Sequence, residues 1–125
     1  MPLVLDAGAL IAVDRQDRLI GAILRLAHQE QLSVRTSAVV VAQVWRGGGR
    51  QANLARVLAG IDAVGLDDSA GRSVGALLQQ SRTDDVVHGH LALVVQPGDV
   101  VLTCDADDIN ANLGARAVEA AVRSI

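Results

Sequence analysis

The chain has 125 residues and a formal net charge of −3 from 11 basic and 14 acidic side chains, and half of its residues are hydrophobic. That size suits one domain, 1–125, which buries roughly two-thirds of its unfolded area on folding, so the core needs no metal or disulfide staple. The lone cysteine, Cys104, excludes an internal disulfide, and no basic stretch precedes an apolar segment. With no apolar run of about 18 residues either, a soluble cytoplasmic protein with no membrane partner is expected.

In chain order, Pro2 to Leu5 is an apolar run that ends at Asp6 before an Ala-Gly pair, the pattern of a buried strand feeding a turn. A short helix over Ala9 to Val13 follows, and Asp17 is placed to cap a second whose apolar positions include Leu19, Ile23, Leu24 and Ala27. Leu32 to Arg35 is a candidate strand. Thr36 or Ser37 can cap a helix over Ala38 to Arg46, although the three valines at 39, 40 and 41 also tolerate extended structure. Three glycines at 47 to 49 end that element. Gln51 to Leu58 resumes a helix and Ile61 to Leu66 offers a strand. Asp67, Asp68 or Ser69 caps a helix running to about Gln80.

Thr83-Asp84-Asp85 begins a helix reaching Val95, and Gln96-Pro97-Gly98-Asp99 is a turn before the apolar run Val100 to Thr103. A last helix runs from Asp107 to about Ala117, and Ala121 to Ile125 suits an edge strand. Strands alternating with helices predict an α/β fold with a mostly parallel sheet of four to five strands flanked by helices. In such sheets, sites form outside the C-terminal ends of the strands. Asp6 and Asp105 both fall there, Asp85 lies near a helix start, and Asp108 is three residues beyond Asp105. Clustered carboxylates raise one another's pKa and persist best around a cation. Oxygen ligands favour magnesium or manganese, and such an ion beside a phosphodiester orients water and stabilises a leaving oxygen. Asp67, Asp68, Asp84, Asp99 and Asp107 read as caps or turn residues.

The segments LVLDAGALIAV, TSAVVVAQVWRGG, DDVVHGHLALVV and VLTCDADDI, in that order, resemble the PIN-domain family, specifically the VapC-like toxin ribonucleases of bacterial toxin-antitoxin pairs. The resemblance covers nearly the whole chain. It implies a PIN-like three-layer sandwich, a magnesium- or manganese-dependent endoribonuclease centre, RNA as substrate, homodimerisation, and inhibition by a small cognate antitoxin. Asp6 matches the family's first aspartate, and Asp105 with Asp108 match its last group. Gln43 stands at the usual glutamate, and His88 aligns with the usual aspartate of the helix before the fourth strand.

Those two departures bear on chemistry. Gln43 offers an amide oxygen but no charge. His88 ligates through nitrogen, which tilts preference from Mg²⁺ towards Mn²⁺. Asp85, one turn before His88, either supplies the missing carboxylate or simply caps its helix. Arg46 and Arg50 are candidates for contact with RNA phosphate or an acidic antitoxin side chain, while Trp45 reads as a core or dimer-interface residue, His90 as structural or as a support to a ligand of the site, and His28 as surface. The expected centre is therefore Asp6, Asp105 and Asp108 with Asp85, His88 and Gln43. The rival is a catalytically weakened PIN-domain interaction protein that binds an antitoxin or RNA. A phosphoacceptor receiver is disfavoured because the chain has no lysine, and GGGR lacks the context of a phosphate loop.

Overall fold

A computed structural model describes residues Met1–Ile125. Strand β1 (Leu3–Leu5) is buried at all three positions, as a strand covered on both faces must be. It leads into α1 (Ala7–Asp14) and α2 (Arg18–Gln29), then β2 (Val34–Ser37) and α3 (Ala38–Val44). A 3₁₀ turn at Gly49–Gln51 precedes α4 (Ala52–Leu58), β3 (Asp62–Val64) and α5 (Asp68–Ser81). The chain closes with α6 (Val86–Val94), β4 (Val100–Thr103), α7 (Ala106–Arg116) and β5 (Ala121–Ser124).

All five strands are parallel, in the order β3-β2-β1-β4-β5. The expected α/β architecture, a parallel sheet flanked by helices in a PIN-like three-layer sandwich, is the one observed. From β1 the chain first builds outwards through β2 and β3, then returns to place β4 and β5 on the other side. The direction reverses between β1 and β4, where loops diverge and open α/β sheets leave a crevice.

Two of the boundaries that differ from the sequence reading do so for identifiable reasons. β2 lies over Val34–Ser37 and not 32–35, because Thr36 pairs with Leu5 of β1 and its hydroxyl donates to the Leu5 carbonyl at 2.6 Å. A polar side chain thus sits fully buried in a strand, with its hydrogen bond made internally. Ser37 closes the strand and also caps α3, accepting from Val39 N. That helix stops at Val44 and not Arg46, because Gln51 Oε1 accepts from the backbone N–H groups of Arg46 (2.7 Å) and Gly47 (2.9 Å). Trp45 is consequently 41% exposed and is no core residue.

The core joins Leu3, Val4 and Leu5 to Leu10, Val40, Leu54, Leu91, Val101 and Ile109. Truncating such a side chain to Ala costs about 2–5 kcal/mol. At the opposite end from the crevice, Arg35 and Asp99 form a buried ion pair, and Asp99 also accepts from Gln96 N, so its turn reading stands. No helix is long and apolar enough to cross a membrane.

Candidate metal centre

Four backbone events bring the acids together. β1 ends at Asp6, whose Oδ1 accepts from Ala7 N at 2.7 Å and so caps α1. β4 ends at Thr103, whose hydroxyl donates to Asp6 Oδ2 at 2.6 Å and accepts from Asp105 N at 2.9 Å. Asp105 caps α7 by accepting from Asp108 N, and Asp85 caps α6 by accepting from His88 N at 3.0 Å. Two helix N-termini, α6 and α7, therefore converge on the C-terminal ends of β1 and β4. Their positive ends favour anionic side chains in the first turn.

His88 stands in the middle. Its Nδ1 donates to Asp108 Oδ2 at 2.5 Å, and lies 3.4 Å from Asp85 Oδ2 and 3.9 Å from Asp105 Oδ2. On the other side, Nε2 lies 3.5 Å from Asp6 Oδ2. Burial works against charge on this imidazole, but the hydrogen bond to Asp108 and the charges of Asp6, Asp85 and Asp108 outweigh it, so its pKa is raised above 6.5. The ring divides the acids. Asp6 lies beneath it, 2% exposed, with both carboxylate oxygens already accepting hydrogen bonds. Asp84, Asp85, Asp105, Asp107 and Asp108, with Ala111, line an open crevice of about 460 Å³ above it.

Donor atoms of Asp85, His88 and Asp108 lie within 4.8 Å of one another, a group able to hold a divalent ion. Two carboxylates and one imidazole fit a hard or borderline cation, and the open crevice leaves room for water to fill the other positions. Asp85 caps its helix through Oδ1, while its Oδ2 faces His88.

The other expected residues make no hydrogen bond or ion pair with the cluster. Gln43 is exposed on α3 and makes no hydrogen bond to the acids. Arg46 turns its guanidinium back onto the carbonyls of Ala42 (3.2 Å) and Trp45 (2.6 Å), and Arg50 is exposed in the 3₁₀ turn. His28 is exposed, as read. His90 is buried with Nδ1 2.6 Å from Ser37 Oγ, and burial pushes its pKa down despite a hydrogen bond with the Gly65 backbone. Sequence reasoning gave Thr103 no site role and left Asp84 and Asp107 as caps. The hydroxyl ending an otherwise apolar strand, next to an acid, was the available signal for Thr103.

A chain in the crystal structure of VapBC2 from Rickettsia felis bound to a DNA fragment from their promoter superposes with a TM-score of 0.67. The alignment covers 100% of this chain and 99% of that one at 12% identity. A likeness at that identity shows a shared fold. No family model and no curated protein matches the sequence.

Proposed function

We propose that this protein is a metal-dependent endoribonuclease toxin held inactive by a cognate antitoxin. The observation that carries the reading is the Asp85, His88 and Asp108 trio, within 4.8 Å, at the mouth of an acidic crevice on the switch point of the sheet. The shared fold with the VapBC2 chain supports it. Asp85 Oδ2, His88 Nδ1 and Asp108 Oδ2 would hold a single ion, with Asp105 beside them, and the nitrogen donor favours Mn²⁺ over Mg²⁺. When bound, such an ion polarises a phosphoryl oxygen and makes water acidic enough to attack at neutral pH. Asp6 acts through the ring: Thr103 fixes its carboxylate, which faces Nε2 and leaves Nδ1 directed at the crevice. Asp105, more than half exposed beside the trio, would take a proton from the attacking water.

With a net charge of −3, RNA must be drawn by local cations, for which Arg46 and Arg50 are the candidates. The antitoxin, or a second copy in a homodimer, would cover the apolar side chains that α1 and α2 leave in solvent: Ile11, Leu19 and Leu26. A second reading, a PIN-like interaction protein with weak catalysis, is favoured by two features. Gln43 brings no charge to the cluster and the Asp6 oxygens are spent on Ala7 and Thr103.

Calorimetric titration of Mg²⁺ and Mn²⁺ into wild type and Asp108→Asn, followed by RNA cleavage assays on the same samples, separates the two. The expected result is one site, tighter for Mn²⁺, lost in the variant together with metal-dependent cleavage. Ion binding absent from wild type, with no cleavage, moves the assignment to the interaction protein.

A further inference from the structure

Asn112 is fully buried, yet it is polar and lies on the inward face of α7, between the apolar core residues Ile109 and Leu113. Its Oδ1 accepts from Ser81 Oγ at 3.1 Å and from Thr83 Oγ1 at 3.4 Å, and those two hydroxyls are themselves 2.7 Å apart. Its Nδ2 donates to the Asp108 carbonyl at 2.9 Å, one helical turn earlier. One amide therefore joins two chain segments. The first is the link from α5 to α6, residues 82–85, which delivers Asp84 and Asp85. The second is the first turn of α7, which carries Asp105, Asp107 and Asp108. The other side-chain hydrogen bonds between α6 and α7 are the one from His88 to Asp108 within the cluster itself and, at the far end of α7, those from Arg116 to the carbonyls of Ala92 and Val95.

We infer that Asn112, with Ser81 and Thr83, forms a positioning lock that sets the separation of Asp85 from Asp108 and thereby the affinity of the centre for a divalent cation. The inference rests on the metal-centre reading above. Its physical basis is that a buried amide with few alternative partners has one satisfied arrangement, whereas an aliphatic residue of similar volume would let the helices slide. The link needs such a fixing point. Arg82 within it takes a left-handed backbone, φ 58°, and the segment makes a tight reversal between α5 and α6. Asp85 is then held at both ends: upstream through Thr83 to α7, downstream through its cap contact to α6. Without the lock, Asp85 and Asp108 remain present and charged, but a bound ion must itself draw the two helix starts together.

The test compares Mn²⁺ binding by calorimetry, and melting in EDTA, for wild type, the double variant Ser81→Ala with Thr83→Val, and Thr83→Ser. The double variant leaves every acid, His88 and Asn112 in place. Removing groups that orient metal ligands typically weakens affinity about 10- to 100-fold, and a loss of about 10-fold is expected here. Thr83→Ser keeps the hydroxyl and should bind Mn²⁺ like wild type. A purely structural role would lower the EDTA melting temperature of the double variant while leaving its Mn²⁺ affinity unchanged at a temperature where it is folded, and that result overturns the inference. Equal loss of affinity in Thr83→Ser would also overturn it, since the hydroxyl would then not be the operative group. Wild type failing to bind Mn²⁺ is a different failure, which removes the metal-centre reading and the lock with it.

Discussion

His88 and His90 sit two residues apart on α6 and are pushed in opposite directions by what surrounds them. His90 is buried among neutral groups, so burial lowers its pKa below 6.5. His88 also suffers burial, but Asp108, Asp6 and Asp85 more than compensate, and its pKa rises. Linkage gives each a sign. For His90 the unfolded chain binds more protons just below pH 6.5, so stability falls as pH drops through that window. For His88 the metal-free native state holds its proton to higher pH than the unfolded chain does. Its stabilisation is complete below pH 6.5 and is lost as pH rises through the raised pKa. In EDTA, therefore, these two residues make the melting temperature peak near pH 6.5. His88→Gln should flatten the alkaline flank and His90→Gln the acidic one, as thermal unfolding monitored by circular dichroism from pH 5 to 9 would record. An alkaline flank unchanged by His88→Gln would mean the ring is not the cluster's resident cation.

At the scale of elements, the loop after β1 and the loop after β4 can share a site only because they nearly touch. A Cβ built on Gly8, in the first turn of α1, would lie 2.0 Å from Cys104 Sγ and 3.2 Å from Cys104 N. In an isolated helix, Ala would improve on Gly by about 1 kcal/mol. Here overlap with the Cys104 side chain, with its backbone N–H also in tight contact, decides the sign, and Gly8→Ala should destabilise by about 1–3 kcal/mol in urea unfolding. Adding Cys104→Ala, which removes Sγ but keeps its Cβ 3.0 Å from the new methyl, should recover part of that loss. The elements themselves were largely legible, because their signals are local: Asp17, Ser37, Asp67 and Asp85 cap the helices that their spacing announces. What failed to show was long-range. Thr36 reads as a helix cap until its pairing with Leu5 is known, and the core half of the Trp45 reading falls only once Gln51 is seen to pull the chain out of α3.

For the whole molecule, the order β3-β2-β1-β4-β5 decides which acids meet, and no local pattern encodes that order. Asp6 and Asp105 were legible as strand-end residues. That His88 would lie between them, with Asp6 below and the crevice acids above, depends on α6 and α7 packing across the sheet. The same arrangement makes the proposed ion a crosslink. Asp85 and His88 belong to the start of α6 and Asp108 to α7, so an ion held there ties the two helix starts together, while the ring is backed by Asp6 from β1. Because the unfolded chain has no such site, binding adds to stability as RT ln(1 + [ion]/Kd), about 2.7 kcal/mol at a free concentration of 100 Kd. For a chain of this size that corresponds to a rise in melting temperature of order 10 °C. The rise should be larger for Mn²⁺ than for Mg²⁺ at equal concentration, and Asp108→Asn should abolish it while the variant still folds in EDTA. An equal rise in wild type and in the variant would place the ion elsewhere on the acidic surface. The stability of the molecule would then carry no information about the crevice.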